Sequence, residues 1–279
     1  MTACEVCGGE GSPLDYAGLR RCAACSHVWA DLSIETEAIH RLYQRSYFFG
    51  DEYSNYLEDR RIIEKNFAGR LATLRRFITS SHRRLFEIGC AYGFFLNAAR
   101  ESFTSVQGID VSEDAVRFAS QELGLDVSCG DWLNADLSGQ AFDVVCLWDT
   151  IEHLAAPRRY LEKASACMPP GSLMAITTGD IGSLNARLQK GRWRLIHPPT
   201  HLHYFTRRSL TRLLEACGFR IVHVEYCGVY RSVRGMVHNM VSLGWHWPRV
   251  GAWLMRVVPP RLDTYVNLQD IMYIVAERR

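Results

Sequence analysis

The spacing of apolar and polar positions changes several times along the 279 residues, and each change marks a predicted element. Ile62, Ile63, Phe67, Leu71, Leu74 and Phe77 recur three and four apart, which predicts a helix with one apolar face. At Leu85 the pattern shortens. Leu85-Phe86-Glu87-Ile88 is followed by Gly89, Gly93 and a helical run through Leu96, Ala98 and Ala99. That sequence predicts a buried strand, a tight turn and the start of a helix. Further strands are predicted over 106–110, 125–128, 142–147, 173–177, 219–226 and 271–276. The 142–147 run is almost wholly apolar, so it is expected at the centre of a sheet. Helices are predicted over 113–123, capped by Ser112, over a stretch ending at 161–168, and over 207–217 between Thr206 and Gly218. This alternation predicts an α/β fold with a doubly wound, mostly parallel sheet. Ligands of such sheets sit beyond the carboxyl ends of the strands, where Glu87, Asp110, Asp131 and Asp149 all fall.

Ahead of the sheet, Cys4-x-x-Cys7 and Cys22-x-x-Cys25 are separated by fourteen residues, with Gly8, Gly9, Gly11 and Pro13 between them. Two such pairs complete a tetrahedral four-sulfur site, which predicts a closed, structural zinc ribbon. His27 is read as a ribbon surface residue or a substitute ligand. The other six cysteines are scattered in apolar contexts and read as buried free thiols. The expected organisation is a zinc ribbon over 1–32, a helical cap or linker over 33–80, and a ligand-binding domain over 81–279.

The net charge of +2 gives no general electrostatic case for nucleic acid. No apolar run reaches the ~20 residues of a membrane span. The amino terminus lacks a basic start and an apolar signal core, so a cytoplasmic location is expected.

Glu87-Ile88-Gly89-Cys90-Ala91-Tyr92-Gly93 resembles the first motif of class I S-adenosylmethionine-dependent methyltransferases, Glu/Asp-x-Gly-x-Gly-x-Gly, with Ala91 in place of the middle glycine. The resemblance spans about residues 85 to 219. It implies a Rossmann-like seven-stranded sheet and S-adenosyl-L-methionine as cofactor. Glu87 at the strand end suits a ligand with an ammonium or sulfonium charge. Asp110 lies about twenty residues past the glycines, the spacing at which a carboxylate meets ribose hydroxyls. In the family the acid at Asp131 faces the adenine amino group, and Trp132 is then expected to flank the ring. Gly89, Gly93, Val111 and Trp148 complete the expected cofactor set, with Tyr56 closing over it.

Trp148-Asp149-Thr150-Ile151-Glu152-His153 matches the Asp-x-x-Glu-His segment of small-molecule methyltransferases resembling the ubiquinone O-methyltransferases. Three readings stand. Asp149, Glu152 and His153 bind a divalent metal, as in some relatives. His153 is a general base. Or Glu152 caps the next helix and His153 packs beside it.

Further on, His197, His201 and His203 lie within seven residues, beside Pro198 and Pro199. Strand alternation would put His201 and His203 on one face, and either is a second candidate base. The segment from His201-Leu202-His203-Tyr204-Phe205-Thr206 to Cys217-Gly218-Phe219 resembles a group of bacterial methyltransferases of uncertain substrate. Three histidines can also hold zinc, which the resemblance does not support. Arg187, Lys190, Arg192 and Arg194 could hold an anionic acceptor, or belong to a solvated loop.

Residues 229–261 carry Arg231, Arg234, Arg249, Arg256, Arg261, Trp245, Trp247 and Trp253 and no acid. This insert, at about 229–266, reads as a helical lid or dimer surface, or as a contact with an anionic membrane. The expected activity is methylation of a small or lipid-linked acceptor, at oxygen, with a histidine base. The alternatives are an RNA methyltransferase carrying a zinc module and a non-catalytic cofactor-binding scaffold.

Overall fold

The computed structural model describes residues 3–16, 18–32, 56–237, 257–259 and 261–279. Three short strands, β1 (Gly11–Pro13), β2 (Leu19–Cys22) and β3 (Val28–Ala30), accompany the two cysteine knuckles. The apolar helix is α1 (Arg60–Leu74). Then come β4 (Arg84–Ile88), α2 (Phe94–Ala99), β5 (Ser105–Asp110), α3 (Glu113–Gln121) and β6 (Asp126–Cys129). The second half holds β7 (Val144–Trp148), α4 (Pro157–Ala166), β8 (Leu173–Gly179), α5 (Leu184–Gln189), β9 (His203–Tyr204) and α6 (Arg207–Ala216). The described chain closes with β10 (Phe219–Tyr226), β11 (Val229–Ser232), α7 (Val233–Val237), β12 (Asp263–Val266) and β13 (Ile271–Arg278).

Seven strands form one sheet in the order β10-β13-β8-β7-β4-β5-β6. Pairs from β8 across to β6 are parallel, and β13 runs antiparallel between β8 and β10. β7, the apolar run, is central and buried at all five positions. Alternate residues serve opposite faces: Phe86, Ile88, Val145 and Leu147 join one core, Leu85, Val144, Cys146 and Trp148 the other. Each such side chain contributes about 1.5–3 kcal/mol by leaving water. The direction of winding reverses between β4 and β7, so a crevice opens beyond their carboxyl ends.

Both predicted caps form. Ser112 accepts from the Ala115 N–H, and Thr206 makes a reciprocal capping box with Ser209. Glu152 is not a helix cap: α4 begins at Pro157, and Glu152 sits in an earlier 3-10 turn, Ile151–His153.

A second sheet, ordered β1-β2-β3-β9, brings a strand from far along the chain onto the knuckles. Val28 pairs with Tyr204 and Trp29 with His203. The other side of the knuckles is anchored by Arg158 of α4, which donates to the carbonyls of Glu5 and Val6 at 3.0 and 2.6 Å. The edges of the 229–266 insert meet as β11 and β12, and Arg61 of α1 grips Asp263. Its tryptophans lie outside the described residues, so the expected lid, dimer or membrane surface falls there too. Among the described residues no helix is long and apolar enough to cross a membrane. Cys129 is exposed, in contrast to the expectation for the scattered cysteines, because the outer positions of edge strand β6 are uncovered.

Candidate active site

β4 ends in Glu87 and Ile88, and the chain then turns through three left-handed residues: Gly89 at φ 77°, Ala91 at 44° and Gly93 at 73°. Ala91 thus adopts the middle glycine's conformation despite its Cβ. Gly89 has no such latitude, since a Cβ there would lie 2.7 Å from Cγ2 and Oγ1 of Thr150. Gly93 caps α2. The bare backbone lets this cradle-like turn pack directly on its neighbours, Gly89 on Thr150 of the β7 loop and Gly93 on Leu125 and Ala119.

Two carboxylates converge on this turn. Asp110 accepts from the Ala91 N–H at 2.8 Å and from the Ser112 N–H at 2.9 Å, which ties the end of β5 to the motif. Glu87 is 1% exposed, and its Oε2 has no hydrogen-bond partner among the described residues. Burial, and then the neighbouring Asp110, push its carboxyl well above the usual range. An orphaned buried carboxyl at the end of β4 fits a cationic ligand group, because a positive charge would restore the partner that burial removed.

Arg70 was not singled out in the sequence. It lies on the buried face of α1 with Leu71 and Leu74, where a cation is costly unless paired. Its Nη2 reaches Asp149 Oδ2 at 2.5 Å, and its guanidinium lies over the rings of Phe67 and Trp148. An arginine at helical spacing inside an apolar face was the available signal.

The other expected cofactor residues separate. Trp148 is buried against Phe95 and Tyr273. Tyr56 stacks on Tyr92 and Phe94 beside the motif. Val111 follows Asp110, and its carbonyl faces the Cys129 thiol. Asp131 caps the 3-10 turn Trp132–Asn134 and accepts from Tyr160. Trp132 is not placed to flank a ring: it is 1% exposed, packed on Phe86 and Phe142's neighbourhood in the core, with its N–H on the Tyr160 carbonyl.

The histidines sort into two groups. Ligand atoms of Glu152, His153 and His201 all lie within 4.8 Å of one another. His153 Nδ1–H donates to the Thr200 carbonyl at 2.8 Å, and His201 Nδ1–H donates to the Leu195 carbonyl at 2.9 Å. A carbonyl only accepts, so both rings carry their proton on Nδ1 and their lone pair on Nε2. Burial lowers His153 to about 4 and holds His201 well below its ordinary value. Burial, with the charge of Asp149, raises Glu152 to about 8. Its Oε2 has no partner among the described residues. In place of the expected set Asp149, Glu152 and His153, the cluster takes His201 as its third member, because Arg70 and Thr177 Oγ1 hold Asp149.

His203 faces elsewhere. Its Nδ1 meets His27 Nε2 at 3.0 Å, and the two rings stack. His27 is fully buried, not a ribbon surface residue. His201 and His203 both line one small pocket with Glu152, Thr178 and Trp193, although their hydrogen-bond partners differ. Of the four loop cations, Arg194 is paired with buried Asp270.

In the knuckles, Cys4 Sγ is 3.5 Å from Cys25 Sγ and Cys7 Sγ is 3.4 Å from Cys22 Sγ, with all four within 4.8 Å. Four sulfurs each about 2.3 Å from a tetrahedral zinc stand about 3.8 Å apart, so the set fits that ion. Burial pushes the Cys4 thiol up to about 11 and Cys25 also upward; a bound cation would reverse this.

Comparison with known proteins bears on the family and the fold. A protein-family profile described as a methyltransferase domain matches residues 56–224, more than half of the chain, and the chain belongs to that family. Among curated relatives, the ubiquinone biosynthesis O-methyltransferase of Parvibaculum lavamentivorans is 26% identical over 172 residues, covering 60% of this chain and 63% of the relative. That of Coxiella burnetii is 25% identical, covering 39% and 49%. The chain thus spans about half to two thirds of the length of these relatives. Of solved structures, a methyltransferase from Thermotoga maritima, described as a possible histamine N-methyltransferase, aligns with TM-score 0.53 and 18% identity over 84% of this chain and 98% of that one. Magnesium protoporphyrin IX methyltransferase from Synechocystis, with bound S-adenosylhomocysteine, aligns with TM-score 0.56 and 13% identity over 88% and 100%. At these identities the structures speak for the fold alone, a Rossmann-like sheet of seven strands, and the methyltransferase family rests on the profile match.

Proposed function

We propose that the chain methylates a hydroxyl of a small molecule, using S-adenosylmethionine bound across the β4 and β7 loops. The observation that carries the acceptor side is the convergence of Glu152, His153 and His201 just past β7, next to the glycine turn. When bound, S-adenosylmethionine supplies a methyl on a cationic sulfur that leaves as a neutral thioether. The chain's own work is alignment, exclusion of water and removal of one proton. Glu87 and Asp110 fix the cationic and ribose ends. Arg70 holds Asp149 and limits the repulsion among these acids. Nε2 of His153 takes the acceptor's proton, with Thr200 keeping that nitrogen unprotonated beforehand. Names of the curated relatives support oxygen as the methylated atom. A lipid-linked or anionic acceptor would suit the cations at Arg187, Lys190 and Arg192.

A second reading has its own observation. Two imidazoles oriented through Nδ1 toward backbone carbonyls, beside one carboxyl, form a donor set for a divalent cation. Glu152, His153 and His201 would hold the ion, which would polarise the acceptor oxygen. The four cysteines are proposed to hold structural zinc, and residues 1–32, 33–80 and 81–279 to act as ribbon, cap and catalytic parts.

The test is release of S-adenosylhomocysteine with a panel of hydroxylated acceptors, run with and without chelator. Turnover that His153→Ala abolishes, with cofactor binding retained, supports the base. Turnover lost on chelation and restored by Mg2+ or Mn2+ moves the assignment to the cation.

A further inference from the structure

The knuckle sheet and the acceptor cluster meet at one residue. Leu202 donates its N–H to the carbonyl of Glu152 at 2.9 Å, and its own carbonyl accepts from the Ala30 N–H of β3 at 2.9 Å. A continuous backbone link therefore joins the ribbon strand to the turn that carries Glu152 and His153. Next to it, the pairs Val28–Tyr204 and Trp29–His203 fix β9 on β3. One side-chain bond crosses the same seam: His27 Nε2 with His203 Nδ1, 3.0 Å apart, one ring donating and the other accepting. Phe205 packs against both rings. Both imidazoles are buried, at 0% and 1% exposure, so water cannot stand in for a lost partner.

Resting on the acceptor assignment made above, we propose that His27 is a positioning residue: through His203 and β9, the cysteine-knuckle sheet sets the geometry of His201 and Glu152, and so governs acceptor capture rather than cofactor binding. The division follows from topology. The cofactor cradle hangs from β4 and β5, whose hydrogen bonds lie within the seven-stranded sheet. The acceptor loop hangs from β9, which pairs only with β3 among the described strands. Among the described residues, the ribbon's strand pairing and the Ala30 backbone link reach the acceptor loop and not β4 or β5.

The experiment compares His27→Gln with His27→Asn in the full zinc-quantified chain. Glutamine places its amide where Nε2 of histidine stands and can keep the bond to His203. Asparagine is too short to reach it. Both substitutions are polar and similar in size, so they share any general cost of altering a buried site. Amide hydrogen exchange of residues 201–204 should quicken about tenfold in His27→Asn, as expected for one lost buried bond, and remain near wild type in His27→Gln. S-adenosylhomocysteine affinity should stay within about twofold in both, since neither touches the cradle. With an acceptor in hand, KM for it should rise in His27→Asn while kcat changes less, and His27→Gln should restore it. Unchanged exchange at 201–204 in a folded His27→Asn would overturn the proposal, as would equal loss of cofactor affinity. If His27→Asn fails to fold, His203→Asn against His203→Phe reads the same bond from the other side, with the same outcomes. The exchange measurement needs neither acceptor nor turnover. It can therefore hold or fail independently of whether Glu152, His153 and His201 are the acceptor site.

Discussion

Arg70 Nη2 lies 2.5 Å from Asp149 Oδ2, joining the buried face of α1 to the end of the central strand β7. The pair spans the crevice where the cofactor is proposed to sit. Arg70 is 9% exposed, so its charge has no solvent to fall back on. Arg70→Met should lower stability by about 1–3 kcal/mol, the range for a charged buried hydrogen bond, and weaken S-adenosylhomocysteine binding. Arg70→Lys should fall between, keeping the charge but losing the planar fork. Chemical unfolding and calorimetry check both.

The glycine turn makes opposite predictions at Gly89 and Ala91, on either side of Cys90. Gly89→Ala combines a left-handed residue with a Cβ 2.7 Å from Thr150, and should cost about 2 kcal/mol or more. Pairing it with Thr150→Ala should recover the steric part. Ala91→Gly should stabilise the protein by up to about 1 kcal/mol, because a φ of 44° suits glycine better. Urea unfolding of the three variants beside the wild type reads these differences. A stabilising Gly89→Ala would contradict the account of the cradle.

Much of this was legible in the sequence because it is local. A strand, a turn and an acid lie next to one another, so Glu87, Asp110 and Asp149 announce strand ends, and Ser112 and Thr206 announce helix starts. What was not legible depends on residues distant in sequence. Nothing near His203 indicates that β9 leaves the main sheet to pair with β3, so the His27–His203 contact was invisible, and His27 looked like surface. Trp132 follows an expected ligand residue, but the turn that Asp131 caps directs it inward. The set Glu152, His153 and His201 needed the fold, because Asp149, the nearer candidate, is already held by Arg70.

The cluster should leave a mark on stability against pH. Glu152 titrates at about 8 in the folded chain and near its ordinary value, about 4.3, when unfolded. Its contribution is therefore full below the unfolded value and is lost as pH rises toward 8. His153, lowered to about 4, works in the other direction: stability falls as pH drops from about 6.5 toward 4. Glu152→Gln should abolish the decline between about pH 6.5 and 8 and leave the acid-side decline in place. Thermal unfolding across that range checks it, in the metal-free protein, since a cation in the cluster would suppress the Glu152 effect.

The knuckles should carry one zinc per chain by elemental analysis. Cys25→Ser, at a buried ligand position, should lose it and lower the melting temperature. Full zinc retention in that variant would remove the four-sulfur assignment.

The central claim is that the β4 turn with its strand-end acids is a cofactor site. Calorimetric titration with S-adenosylmethionine and S-adenosylhomocysteine, for the wild type and for Asp110→Ala, tests it most directly. The account predicts micromolar binding of both ligands and its loss in Asp110→Ala, where the Ala91 and Ser112 amides also lose their acceptor. A folded wild-type protein that binds neither ligand, or an Asp110→Ala variant that binds both as tightly, would contradict it.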